Sequence, residues 1–167
     1  MKKIQEITAK PFHFSHPEQA FKLAIVVSRF NEEITEALLE SALARLQMLN
    51  FPEEHITVVR VPGAIELGLA AQQFALSDAN YLAIICLGAV IRGETNHYDY
   101  VCQQVSYACQ KVALEENIPV IFGVLTTDDE EQALARINKG AEAVDAAMEM
   151  VSLLDQIEEI AAEETTA

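Results

Sequence analysis

Apolar residues in this chain alternate between two spacings. Leu23-Ala24-Ile25-Val26-Val27 is a short unbroken apolar run rich in β-branching, the signature of a strand buried on both faces. Asn31 follows as a candidate N-cap, with Glu32 and Glu33 placed favourably in a first helical turn. Ile34, Leu38, Ala42 and Leu46 then recur every fourth residue, which predicts an amphipathic helix over 32–49. Pro52 closes the connection, and Ile56-Thr57-Val58-Val59-Arg60-Val61 reads as a second strand stopped by Pro62-Gly63. A helix is expected from Ala64 to Leu76 and a third, most apolar strand from Tyr81 to Val90. The polar turn Arg92 to His97 leads into a helix ending near Glu116. Pro119 to Leu125 is the fourth strand, and Thr126-Thr127-Asp128 cap a helix ending near Asn138-Lys139-Gly140. The last helix is expected from Ala141 to Ile160.

Strand and helix alternate four times, which predicts parallel strands, right-handed crossovers and helices on both faces. The expected fold class is α/β, a three-layer α/β/α sandwich around a central four-stranded parallel sheet, flavodoxin-like in its winding. A single domain over 21–160 carries this pattern. Residues 1–20, broken by Pro11 and Pro17, read as an N-terminal extension, and 161–167 as a disordered tail.

Composition and charge narrow what such a domain binds. The chain has 167 residues, about half of them hydrophobic, enough to bury a core without disulfides or metals. Its net charge of −15 argues against nucleic acid and anionic membranes as partners, since both need a basic face. Eight acidic residues and no basic one follow Lys139, the pattern of a solvated helix face. Cys86, Cys102 and Cys109 have no metal-ligand spacing and read as reduced thiols of a cytoplasmic protein. The longest apolar run, Leu82 to Ile91, is half a membrane span, and no signal peptide is expected at the N-terminus.

In open parallel sheets ligands bind beyond the carboxyl ends of the strands. Those ends here are Arg29-Phe30-Asn31, Val61 to Glu66, Ile91 to His97, and Leu125 to Asp128. They hold an aromatic ring, glycine backbone, a carboxylate, a histidine and arginines. No dinucleotide fingerprint, Walker loop or nucleophile elbow accompanies them, and no His/Cys/carboxylate cluster has metal spacing. The stretch from Arg92 to His97 is the most informative. Gly93 permits an unusual backbone angle or close ligand approach, and free N–H groups at the following helix start suit an anion. Gly93, Glu94 and Thr95 are thus a candidate phosphate cradle, with His97 nearby for proton transfer. The alternative is a plain capped turn with a surface histidine. Phe30 is either a core ring or a stacking platform for a flat heterocycle. Glu66 is a helix-start carboxylate or an acceptor for sugar hydroxyls, while Arg136 and Phe122 read alone as surface and core residues.

Taken together, Arg29-Phe30-Asn31, Val61-Pro62-Gly63-Ala64-Ile65-Glu66, Leu87 through Val101 and Phe122-Gly123-Val124-Leu125-Thr126-Thr127 resemble the 6,7-dimethyl-8-ribityllumazine synthase family, in order, over about 22–155. The resemblance implies condensation of 5-amino-6-(D-ribitylamino)uracil with 3,4-dihydroxy-2-butanone 4-phosphate, without metal or organic cofactor. It implies that Phe30 stacks on the pyrimidine, and that Asn31, Gly63, Ala64, Ile65 and Glu66 line the ring and ribityl pocket. Ala89, Val90 and Ile91 would contact the ring edge through backbone. Gly93, Glu94, Thr95 and Arg136 would bind the phosphate, and His97 would transfer protons. Phe122, Arg136 and Lys139 would come from an adjacent subunit, so the resemblance also implies a homopentamer or a multiple of pentamers, with riboflavin synthase as a candidate partner. Ile65 stands where the family usually has an aromatic residue, and the segment between Arg136 and Gly140 is shorter than usual. That shortening motivates a rival reading, a non-catalytic flavin- or lumazine-binding storage protein on the same scaffold.

Overall fold

The computed structural model describes residues 7–11 and 21–166. The rest of the expected 1–20 extension, with His13, His16 and Pro17, lies outside the described residues. Four strands form one parallel sheet: β1 (Lys22–Ser28), β2 (Ile56–Val61), β3 (Tyr81–Ile91) and β4 (Val120–Thr127). The order is β2-β1-β3-β4, so the chain winds outward from β1, then crosses back past it to β3. The helices are α1 (Glu32–Met48), α2 (Leu67–Ala75), α3 (His97–Glu116), α4 (Glu130–Leu134) and α5 (Lys139–Thr166).

Strand alternation divides the core in two. Leu23, Ile25 and Val27 of β1 join Ile85 and Leu87 of β3 under α1 and α5. Ala24 and Val26 join Ile84 and Cys86 under α2 and α3. Both faces of the two central strands are therefore covered, which accounts for their unbroken apolar runs. The layers approach closely where side chains vanish. A Cβ on Gly68 of α2 would stand 2.5 Å from Ala108 Cβ of α3, and one on Gly140 of α5 would collide with the Leu38 carbonyl of α1. The three cysteines are free thiols. Among the described residues, no helix is long and apolar enough to cross a membrane.

Several boundaries differ from the sequence pattern, each for a local reason. β3 and β4 run on to the pair Ile91 and Thr127, because parallel pairing continues and the Arg92 amide donates to the Thr127 carbonyl (2.9 Å). Thr126 and Thr127 are thus strand residues, and the cap of α4 is Asp129, whose carboxylate accepts from the Gln132 amide (2.8 Å). Tight turns such as Arg136 N–H to Ala133 C=O (2.9 Å) end α4 at Leu134, well before Asn138. Residues 64–66 form a single 3-10 turn before α2, closed by Glu66 N–H to Gly63 C=O (3.2 Å). α5 continues past Ile160 to Thr166, since Ala161-Ala162-Glu163-Glu164 is made of strong helix formers.

Candidate active site

The winding opens a crevice at the carboxyl end of the sheet. α1 leaves β1 over one face and α3 leaves β3 over the other, the arrangement of a topological switch point. A cavity of about 490 Å³ lies there, the size of a small-molecule site.

Each wall has a local cause. β1 pairs with β3 only as far as Val27 and Leu87, while β3 continues to Ile91 beside β4. The backbone of Ala89, Val90 and Ile91 is thereby left without a strand on its β1 side, and these three residues line the cavity. Asn31 spans the gap: its side-chain amide donates to the Ala89 carbonyl (2.9 Å). It does so from a left-handed backbone (φ 60°), a conformation asparagine tolerates. Asn31 occupies the N-cap position of α1 without a side-chain cap bond, so the expected capping role is replaced by this cross-strand brace. Phe30 precedes it. Amides of Arg29 and Phe30 donate to the carbonyls of Val61 (2.8 Å) and Pro62 (3.1 Å), extending the β1–β2 ladder past the strand ends. The Phe30 ring lines the cavity and is 72% exposed, which is not the burial of a core ring.

The β2 end supplies Pro62, Gly63, Ala64, Ile65 and Glu66. The Glu66 carboxylate accepts from the Gly63 amide (2.9 Å), so the residue closes its own turn while lining the cavity. The helix-start reading of Glu66 thus describes its work in the fold, and the same residue belongs to the cavity wall.

The β3–α3 turn supplies Gly93, Thr95 and His97. Gly93 has no positive φ and a Cβ there would meet nothing within 4 Å, so its backbone angle is ordinary and the space above it is open. The expected unusual backbone angle is therefore not found at Gly93. The Thr95 hydroxyl accepts from the His97 amide (3.3 Å), and His97 opens α3, twenty residues long, whose first N–H groups have no helical partner.

Tyr98 and Val101, from the first turn of α3, also line the cavity and were missed by sequence reasoning, as was Pro62. The signal was present in the spacing of Val101, four residues past His97 and three past Tyr98, both neighbouring positions on a helix surface. Partial burial and a hydrogen bond with Cys102 hold the Tyr98 phenol above its usual range.

Four expected residues lie outside the cavity wall. Glu94 belongs to the turn but is not in the lining. Phe122, in the edge strand β4, is 42% exposed. Arg136 donates to the Gln132 carbonyl (2.8 Å), and Lys139 pairs with Glu142 at the start of α5. That pairing lowers the Glu142 carboxyl from its usual range. Among the described residues, no group of three or more His, Cys, Asp or Glu comes together as a metal cage.

Known proteins resemble the chain over this whole framework. A sequence model of the 6,7-dimethyl-8-ribityllumazine synthase family matches residues 20–155. The 6,7-dimethyl-8-ribityllumazine synthase of Coxiella burnetii is 56% identical over 146 residues, covering 84% of this chain and 96% of that protein. The protein of the same name from Protochlamydia amoebophila is 50% identical over 141 residues, 81% of each chain.

Proposed function

The chain belongs to the 6,7-dimethyl-8-ribityllumazine synthase family, and from that membership and the strand-end cavity we propose how it works. It condenses 5-amino-6-(D-ribitylamino)uracil with 3,4-dihydroxy-2-butanone 4-phosphate to 6,7-dimethyl-8-ribityllumazine, a step of riboflavin biosynthesis. The observation that carries this reading is one cavity that joins an exposed aromatic ring, a backbone edge and a helix start.

Phe30 offers its face to the pyrimidine ring. The backbone edge of Ala89 to Ile91 supplies the directional polar groups that a uracil needs. Asn31 and the Gly63 to Glu66 turn line the ring and ribityl side, with the Glu66 carboxylate accepting from ribityl hydroxyls. The phosphate sits over Gly93, Glu94 and Thr95, where unpartnered N–H groups and the helix dipole favour an anion. This places the butanone carbonyl beside the amine. The amine adds to the carbonyl and loses water to give an imine. Phosphate is then eliminated as a proton leaves the adjacent carbon, and the ribityl-bearing nitrogen closes the ring with loss of a second water. Each step needs a proton moved, and His97, in the cavity wall at the end of the phosphate turn, is the group for that work. Holding the two substrates in register supplies the rest.

Phe122, Arg136 and Lys139 act on the cavity of an adjacent copy in a homopentamer or a multiple of it. Their positions outside their own cavity support this, as do the exposed Leu69, Tyr107 and Leu114. The free cysteines suit a cytoplasmic protein. The test is a condensation assay with purified protein and both substrates, following lumazine absorbance above the uncatalysed background. Product formation that scales with protein is expected. Binding of the ribityl substrate with no rate above background would replace catalysis by storage.

A further inference from the structure

Arg92 is a strand-end arginine to which the condensation reading gives no task. Its guanidinium makes three contacts at once. Nε donates to Asp128 Oδ1 (3.1 Å), Nη2 donates to Asp99 Oδ1 (3.4 Å), and the group lies 4.2 Å from the centre of the Tyr98 ring. Asp128 follows β4, whereas Tyr98 and Asp99 belong to the first turn of α3. The Arg92 amide is itself fixed to the Thr127 carbonyl. One side chain therefore ties the beginning of the β3–α3 turn to its end, and both to the neighbouring strand.

The turn between these ties is thinly held. Residues 92–97 are all exposed. Its internal bonds include His97 N–H to Thr95 Oγ1 and Asp99 N–H to the Asn96 carbonyl (3.1 Å). Exposed segments with few buried contacts open at little cost unless something restrains them. We propose that Arg92 is a positioning residue, whose clasp on Asp99, Asp128 and Tyr98 holds the Gly93 to His97 turn in the shape that receives the substrate phosphate. The inference rests on the cavity being the condensation site.

Two other roles fit less well. A phosphate ligand would need a free guanidinium, and this one already faces two carboxylates. A stability role would be weak, since the Arg92, Asp99 and Asp128 side chains are 43, 59 and 69% exposed and such pairs contribute little. The geometry also asks for arginine. A planar fork bonds two carboxylates and stacks on a ring together, which a lysine ammonium cannot do.

The experiment compares wild type, Arg92→Gln and Arg92→Lys in steady-state kinetics with each substrate varied, calorimetric titration with inorganic phosphate, and thermal melts. Arg92→Gln is expected to lower kcat/KM for the butanone phosphate about 10- to 100-fold, the scale of a small misplacement at a reacting centre. Inorganic phosphate binding should weaken with it. The KM for the ribityl substrate should stay within about twofold, and Tm should move by no more than about 2 °C. Arg92→Lys should recover only part of the loss. An equal rise in KM for both substrates, or full recovery in Arg92→Lys, would overturn the clasp. A wild type that does not condense removes the functional reading and this inference with it. A wild type that condenses beside an unchanged Arg92→Gln removes this inference alone.

Discussion

The chain carries two groups of family-matched residues that the fold treats differently. Those after β1, β2 and β3, Glu94 apart, converge on one cavity, while Phe122, Arg136 and Lys139 stay exposed outside it. The winding explains the difference. The switch point lies between β1 and β3, where α1 and α3 depart over opposite faces. β4 is one strand further out, with β3 as its only sheet neighbour among the described residues, and α4 and α5 follow from that edge. Within one chain the first group alone walls this cup. In the proposed assembly the second group reaches the cup of another copy, so the proposed assembly and the proposed chemistry stand together.

The largest expected effect tests the first group. His97→Ala should lower turnover about 10²- to 10⁴-fold, the range for a general acid–base group, with ribityl-substrate binding retained. Wild-type turnover in that variant would take His97 out of the mechanism. Arg136→Gln tests the second group and should raise the KM for the butanone phosphate about tenfold, the cost of one charge-assisted contact. Mixing the two variants then decides between one copy and two. If each site draws His97 and Arg136 from different chains, a reassembled equal mixture assayed well below the KM for the butanone phosphate regains about a quarter of wild-type activity. If both come from one chain, the mixture shows only the average of its parents, and the cup needs no neighbour.

The difference between the groups also marks what was legible in the sequence. Continuous apolar runs gave β1 and β3 because both faces of central strands are buried. Phe30, Gly63, Thr95 and His97 were legible because ligand sites in such sheets follow strand ends. What escaped depends on contacts between segments. Asn31 reads as a cap, yet its amide serves Ala89, distant in the chain. Its left-handed backbone suits the residue type: among the described residues every non-glycine position with positive φ is an asparagine, namely Asn31, Asn50, Asn80 and Asn117. Tyr98 and Val101 read as ordinary helix residues until the cavity is seen beside them. The partners of Arg92 come from two separate elements, and no local pattern announces them.

Arg60 gives the smallest and sharpest test of where the cavity ends. It sits at the end of β2, beside residues that line the site, but its guanidinium turns to α1. There Nε and Nη2 donate to the two carboxylate oxygens of Glu36 (2.7 and 2.8 Å). The bond from Arg60 holds the Glu36 carboxyl below its usual range. A lowered carboxyl adds stability that is complete above the ordinary carboxylate value and is lost as pH falls through the lowered one. The side chains are 34 and 45% exposed, so solvent screening keeps the contribution below about 1 kcal/mol. Glu36→Gln should therefore melt slightly lower than its parent at pH 7, and the gap should close as acid protonates Glu36 in the parent. Condensation should proceed at the parent's rate, because the pair lies outside the cavity wall. A variant that melts like its parent but turns over more slowly would place Arg60 inside the working site and redraw its boundary along β2.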